Sequence, residues 1–323
     1  MQFSEGHVPV LLDEFLSQFG VLSEMALRCG RDIFVDFTFG LGGHSIALLD
    51  RYVWLKIIAF DADPEVCRMA ESRYAGYIET GRLSIINANF TEFDTLISLE
   101  RLNGVFGAIA DFGISNYQLF EKGRGFSFDD DQSLDMRVNP DSHDISAADI
   151  VNEFPAERLA DIFYSLADER LSRQIARAIV EAREVKKIET CRQLAEIVRK
   201  VYKRHPDIKT GVDFATKTIM ALRILVNSEF ENIKTLLQKA SSSFCKNSWL
   251  FTITFHSNED RIVKEFIKTE SRGCVCPIEI VLCRCGHKAL VKPVNRKPLC
   301  AGDDELRSNP RSRSAKMRII EFI

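Results

Sequence analysis

The chain has 323 residues, 46% of them hydrophobic, and a formal net charge of -3 at pH 7. This length predicts about two domains with sizeable cores, and no apolar run reaches the roughly 18 residues that a membrane-spanning helix needs. The first residues lack the order of a signal peptide, and nine cysteines, an odd number, argue against a disulfide framework. We therefore expect a cytoplasmic protein with no membrane association.

Short apolar runs alternate with segments of helical length in the first third of the chain. The predicted strands are residues 33–36, 57–61, 83–86 and 105–111, with helices at 45–53 and 64–77. This alternation is typical of βαβ units and a parallel sheet.

The pattern changes after Gly125, where apolar residues recur at spacings of three and four, as in amphipathic helices. Ser146 with Asp149 matches a capping box, and Pro155 suits a helix start. Strand patterns return at residues 249–255 and 315–323. We therefore predict a doubly wound, Rossmann-like α/β domain formed by residues 1–119 and 215–323, interrupted by an all-helical domain at 120–214.

The stretch DFTFGLGGHS, residues 36–45, follows the first predicted strand. Gly42 and Gly43 there would let backbone N–H groups approach a ligand. Asp61 ends the second strand, where a carboxylate can accept hydrogen bonds from ribose hydroxyls. The third glycine of the dinucleotide fingerprint is replaced by Ser45, so S-adenosylmethionine fits better than NAD. Asp36 could meet its ammonium group. A tight turn followed by a helix-capping acid is the alternative interpretation.

Eight motifs in order identify the chain as similar to a known family. They are HVPVLLDE (7–14), DFTFGLGGHS, AFDADP (59–64), DFGIS (111–115) with Gln118, RGFSFDDDQSLDMR (124–137), ALRILVNSE (221–229), FHSNEDRIVK (255–264) and NPRSRSAKMRIIE (309–321). The chain resembles the bacterial S-adenosylmethionine-dependent methyltransferases that act on N4 of a cytidine in the decoding region of 16S ribosomal RNA.

The resemblance implies a class I methyltransferase domain with a helical insertion that helps to recognise the ribosomal substrate. The cofactor contacts that it implies are Gly42, Gly43, His44, Asp61, Phe90, Asp111 and Gln118. Asp111 is also the candidate catalytic residue, because a hydrogen-bond acceptor near the N4 amine would stabilise the charge that develops on it. The oligomeric state is left open.

Several residues are candidates for binding the RNA substrate. Tyr117 or Phe112 could stack on the flipped cytosine, although either ring could equally be core packing. Ser257 and Asp260 match a capping box, which leaves His256 and Arg261 for the pocket wall or RNA phosphate. Arg311 and Arg313 lie in a basic loop that could contact RNA or lead into the last strand.

Basic residues are also concentrated on the predicted helices, with 12 Lys or Arg against 5 acids in residues 170–209. The candidates for the RNA backbone are Arg173, Arg177, Lys186, Lys187, Arg199, Lys200, Lys203 and Arg204. A solvated helix face is the alternative.

The chain departs from the usual family pattern at Phe37, Leu41, Asn116 and Tyr117. These departures keep a second hypothesis open, a catalytically weak RNA-binding assembly factor of the same fold. A nicotinamide oxidoreductase is a third hypothesis, and the replacement of the third fingerprint glycine by Ser45 disfavours it.

Two C-x-C pairs, Cys274 with Cys276 and Cys283 with Cys285, are separated by six residues. Four thiolates could form a tetrahedral zinc site, but the spacing is tighter than the common C-x2-C and methyl transfer needs no metal. We predict no metal at the active site and leave the state of these four cysteines open.

Overall fold

The computed structural model describes residues 9–113, 124–126, 131, 133–141, 144–209, 211–277 and 282–323. Contacts divide the chain into two compact units, one formed by Met1–Gly113 with Phe230–Ile323 and the other by Ile114–Glu229. The described residues contain no helix that is long and apolar enough to cross a membrane.

The first unit contains a seven-stranded sheet. Its strands are β1 (Ile33–Asp36), β2 (Lys56–Asp61), β3 (Leu83–Asn87), β4 (Val105–Asp111), β5 (Trp249–Thr254), β6 (Val291–Pro293) and β7 (Lys316–Phe322). Their spatial order is β3-β2-β1-β4-β5-β7-β6. Strands β1 to β5 are parallel, and β7 runs antiparallel to both β5 and β6. The predicted class I methyltransferase fold, with its mainly parallel doubly wound sheet, is confirmed.

Both faces of this sheet are buried, as expected for parallel strands covered by helices. Side chains alternate across the sheet, so Phe34 packs in one apolar cluster with Phe15 and Phe251, while Val35 packs in the other with Phe60. Burial of these aromatic and branched residues provides the main driving force for the fold.

Helices connect the strands of this unit. They are α1 (Leu12–Arg28), α2 (Gly43–Arg51), α3 (Pro64–Arg73), α4 (Ala75–Glu79), α5 (Phe93–Leu96) and α6 (Leu99–Asn103), and after the second unit α12 (Glu229–Ser243), α13 (Ser257–Glu270) and α14 (Asp303–Ser308). Two 3-10 turns, Phe90–Glu92 and Pro310–Ser314, lie near strand ends.

The second unit is helical. Its helices are α7 (Ala147–Glu153), α8 (Ala156–Ala167), α9 (Ser172–Val185), α10 (Cys191–Tyr202) and α11 (Thr216–Val226). The predicted capping box of Ser146 and Asp149 is present at α7. Among the described residues of this unit, the strand-like pairing is an isolated bridge between Ser133 and Thr190. The unit continues past the predicted boundary at residue 214, because α11 buries Leu222 and its neighbours in the helical core.

Candidate active site

Three aspartates end neighbouring parallel strands of the sheet. Asp36 is the last residue of β1, Asp61 of β2 and Asp111 of β4. The carboxyl ends of adjacent parallel strands form the edge where α/β proteins bind ligands. The sheet therefore collects three carboxylates at one edge.

The glycine loop between β1 and α2 is held in place by backbone and side-chain contacts. Gly40 donates its N–H to the Asp61 carboxylate at 2.8 Å, and the Tyr74 hydroxyl donates to the Leu41 carbonyl at 2.7 Å. Gly42 has a φ of 79°, which favours glycine. A Cβ on Gly43 would lie 2.3 Å from Cγ of Pro9. Gly43 is thus required for packing against the N-terminal segment, apart from any contact with a ligand.

Asp36 is buried, with 2% of its surface exposed. It accepts hydrogen bonds from the Ser45 hydroxyl at 2.6 Å and from the Thr38 N–H at 3.1 Å. Burial raises the pKa of Asp36 to about 6, although these two hydrogen bonds lower it in part. The carboxylate is fixed in position and carries a negative charge in a poorly solvated place.

Asp61 is half-buried and accepts N–H groups from Gly40 and from Asp63, the latter at 2.9 Å. Burial raises its pKa to about 6 against the effect of these bonds. Each carboxylate oxygen has two lone pairs, so Asp61 retains capacity for further donors.

Asp111 differs from the other two acids because one of its carboxylate oxygens accepts no hydrogen bond from the described residues. Its backbone N–H donates to the Thr38 hydroxyl at 2.6 Å, while its buried Oδ1 has no hydrogen-bond partner among the described residues. Burial, with the nearby charge of Asp36, raises the pKa of Asp111 to about 8, and the charge of Arg311 opposes this shift. A buried acceptor without a partner indicates a place for a ligand donor or cation.

His44 is buried and its ring faces the protein interior. Nε2 lies 3.0 Å from the Val10 carbonyl oxygen, and the ring packs edge-on against Phe15 with centroids 5.3 Å apart. The side chain therefore helps to hold the N-terminal segment over α2. The His44 backbone lies in the first turn of that helix, where no acidic side chain is present.

The aromatic residues near the site differ in exposure: Phe90 is half-buried, whereas Phe37 and Phe112 are buried. Phe90 is half-buried, with its ring centroid 6.4 Å from that of Phe37 and 6.3 Å from that of Phe112. Phe112 is 3% exposed, which favours core packing, the alternative to stacking on a substrate base. Phe37 is equally buried and packs 5.1 Å from Phe93, which accounts for this departure as core packing.

At the start of α13 the predicted capping box is wrong by one residue. His256 occupies the N-cap, and Glu259 accepts the N–H of Phe255 at 2.7 Å and of His256 at 3.3 Å. His256 Nε2 also lies 3.0 Å from Glu259 Oε1. Asp260 instead binds Arg318 through two hydrogen bonds, at 2.7 and 3.1 Å, because that guanidinium lies beside it on β7.

Three further predicted site residues are basic. Arg261 and Arg313 are exposed and Arg311 is half-buried. The last two lie in the 3-10 turn before β7. The other candidates, Gln118 and Tyr117, lie outside the described residues, as does Asn116.

Comparison with known proteins identifies the family. The profile described as MraW methylase family matches residues 4–323. The chain belongs to the MraW methylase family. It is therefore a methyltransferase.

Curated relatives match nearly the whole length of this MraW-family chain. A protein of Dehalococcoides mccartyi named ribosomal RNA small subunit methyltransferase H is 38% identical over 98% of this chain and 86% of its own. Proteins of the same name from Caldicellulosiruptor bescii and Oleidesulfovibrio alaskensis are 37% and 39% identical, each over 98% of this chain and over 99% and 95% of their own. Among solved structures, a SAM-dependent O-methyltransferase from Thermotoga maritima has 11% identity and a TM-score of 0.34 over 97% of this chain and 71% of its own, too distant to bear on function.

The helical unit of this MraW-family member carries the predicted basic residues. Arg199 is committed to an ion pair, since its Nε and Nη2 atoms bind Asp213 at 3.0 and 2.8 Å. The other seven are exposed: Arg173, Arg177, Lys186, Lys187, Lys200, Lys203 and Arg204. The structure thus separates one structural arginine from seven charges that face solvent.

Sequence reasoning missed three residues that organise the candidate site. Thr38 binds both Asp36 and Asp111, Ser45 binds Asp36, and Tyr74 fixes the loop at Leu41. Ser45 stands two residues after the last glycine, where a hydroxyl on the first helical turn faces back to the strand end. Tyr74 carries no comparable signal, because its contact spans 33 residues of sequence.

Proposed function

We propose that this protein transfers a methyl group from S-adenosylmethionine to N4 of a specific cytidine in the decoding region of 16S ribosomal RNA. Family membership and the names of the full-length relatives support an action on small-subunit RNA. The base, its position and action in the cytoplasm are parts of the proposal.

The observation that carries it is the set of three poorly solvated carboxylates, Asp36, Asp61 and Asp111, at one sheet edge. Their raised pKa values mean that a positive charge brought among them gains more energy than it would in water. S-adenosylmethionine carries two positive groups, a sulfonium and an ammonium, and one negative carboxylate, so it is a net cation. A nicotinamide dinucleotide would bring a pyrophosphate, which these acids would repel.

The rest of the cofactor has matching groups. In the proposed complex, Asp61 accepts the ribose hydroxyls with its remaining lone pairs, and Phe90 lies beside the adenine. Gly43 and His44 lie in the first turn of α2, whose dipole favours the ligand carboxylate. The N–H of Gly42 donates to the Phe39 carbonyl at 2.8 Å, so Gly42 contributes a backbone without a side chain beside the ligand. Gln118 is assigned to the cofactor by resemblance.

S-adenosylmethionine supplies an electrophilic methyl group. The exocyclic amine of cytosine is a weak nucleophile because its lone pair is delocalised into the ring, so the protein must localise that pair. In our proposal the free Oδ1 of Asp111 accepts an N4–H hydrogen bond and stabilises the positive charge that develops on nitrogen. Arg311, by opposing the pKa shift, favours the ionised form that accepts.

The helical unit is assigned to RNA recognition. Its seven exposed Lys and Arg side chains are suited to phosphate contacts, which would make binding sensitive to salt. Tyr117, His256, Arg261, Arg311 and Arg313 are proposed to contact the substrate nearer the reacting base.

The test is incubation of the full-length protein with labelled S-adenosylmethionine and small subunits that lack the modification, followed by nucleoside mass spectrometry of the 16S RNA. Labelled N4-methylcytidine is the expected product, and Asp111→Asn should abolish it. If the protein binds the cofactor but no label enters the RNA, the proposed substrate is refuted. Binding of RNA without the cofactor would favour the assembly-factor hypothesis.

A further inference from the structure

The connection between α13 and β6 carries four of the nine cysteines. Its described residues, 271–277 and 282–290, contain no helix or strand. Cys274, Cys276, Cys283 and Cys285 all lie in it as free thiols. The proposed methyl transfer uses none of them.

The four sulfur atoms converge on one point. They all lie within 4.8 Å of one another, with Cys283 Sγ 3.5 Å from Cys285 Sγ and Cys285 Sγ 3.8 Å from Cys274 Sγ. A tetrahedral zinc ion with Zn–S bonds of about 2.3 Å separates its sulfurs by about 3.8 Å. Disulfide sulfurs are only about 2.0 Å apart, and a two-iron cluster would hold its two thiolate pairs further apart than one ion does.

Backbone N–H groups point at these sulfurs. The N–H of Cys276 donates to Cys274 Sγ at 3.4 Å, and the N–H groups of Val275 and His287 donate to Cys285 Sγ. Gly286, with a φ of 64°, provides the turn that brings the His287 N–H back towards Cys285. Such donors stabilise thiolates, the form that binds metal.

The segment has little apolar core to hold this arrangement. Cys274, Cys283 and Cys285 are exposed, and the neighbouring Leu282 is 75% exposed. The base of the connection is closed by a hydrogen bond from the Leu290 N–H to the Glu270 carbonyl at 2.8 Å. Short segments without a core usually need a cross-link or a metal to fix their fold.

We propose that Cys274, Cys276, Cys283 and Cys285 bind one zinc ion as a closed, structural site. Four thiolates fill the tetrahedral coordination shell, so no position remains for water or substrate. The imidazole of His287 is directed instead to Glu270, with Nε2 3.7 Å from Oε2. Binding transfers the thiol protons to solvent, so affinity should rise with pH.

The first measurement is the metal content of the full-length protein, purified under reducing conditions, by mass spectrometry of its metals. We expect one zinc per chain in the wild type and less than about a tenth of that in Cys283→Ser/Cys285→Ser, since tetrahedral zinc rarely binds through two thiolates alone. Cys300→Ser is the matched control, because Cys300 is also exposed but lies outside the cluster. It should retain one zinc.

Replacement of zinc by cobalt(II) in the wild type keeps the test independent of how the variants fold. The expected result is the intense visible absorption of tetrahedral cobalt with four thiolates, together with protection of four thiols from alkylation. Absence of that spectrum in protein with reduced thiols would overturn the proposal. So would recovery of an iron–sulfur cluster or of two disulfides among these cysteines.

Discussion

Replacing Asp111 by asparagine should make the empty protein more stable while removing its activity. In the folded protein burial and the charge of Asp36 raise the pKa of Asp111 to about 8, against 3.8 for an ordinary aspartate. At neutral pH the unfolded chain therefore releases a proton that the folded chain retains. This difference favours unfolding. Asparagine fills the same space and does not titrate.

The size of the effect follows from the shift. The unfolded-state pKa is 3.8 and the folded-state pKa is about 8. At pH 7 this difference lowers the free energy of unfolding by up to roughly 4 kcal/mol relative to its value at low pH. Because Asp111 is partly exposed, solvent screening reduces this, and we expect about 2 kcal/mol, or on the order of 5 °C in Tm. The stability that the protonated group contributes is complete below pH 3.8 and is lost as pH rises towards 8. The gain in Asp111→Asn should therefore be absent near pH 4 and should grow to about pH 8.

The assay is thermal unfolding of both proteins, without cofactor, across that pH range, together with turnover on small subunits. Asp260→Asn is the matched control. Burial alone would raise the pKa of Asp260, but Arg318 and Lys316 together outweigh burial and lower it, so this variant should lose stability at pH 7. An Asp111→Asn protein that is less stable than the wild type at pH 7, or whose difference does not change with pH, would refute the reasoning.

Three other results are expected. Affinity for S-adenosylmethionine, measured by calorimetry, should rise from about pH 6 to pH 8 as the strand-end acids ionise, and a flat profile would contradict a cationic ligand. Gly43→Ala should cost about 1–3 kcal/mol of stability because its Cβ would meet Pro9 at 2.3 Å, whereas Gly76→Ala, with open space around it, should cost nothing. Lys200→Ala should weaken RNA binding and lower its salt slope by about 1 without changing Tm, whereas Arg199→Ala should lower Tm, and the reverse pattern would exclude this assignment.

The strands were predictable because parallel strands buried on both faces read as uninterrupted apolar runs. Residues 33–36 and 105–111 match β1 and β4 end for end. The missed strand, β6, has three residues and ends in proline, so it lacks both the length and the pattern that periodicity detects. The helical unit ends later than predicted because the packing of α11, rather than its own sequence, decides which core it joins.

The site was less predictable because side-chain direction depends on distant partners. The sequence places His44 next to the glycines, yet only the fold brings Val10 and Phe15 to its ring. Asp260 had a local explanation as a helix cap, and Arg318, 58 residues away, provides a stronger one. The strand-end acids were identifiable because a strand's last residue is fixed by the strand itself.

The three carboxylates that are costly to bury are the ones that we propose select the ligand. Asp36, Asp61 and Asp111 lie where burial makes each negative charge unfavourable, and a core built for stability alone would replace them with apolar residues. In the proposed complex a sulfonium cation supplies the missing counter-charge, so binding recovers energy that folding has lost. Once the methyl group has left, the sulfur is neutral and that attraction disappears. The same three carboxylates would thus favour the methyl donor over the product and help the product to leave.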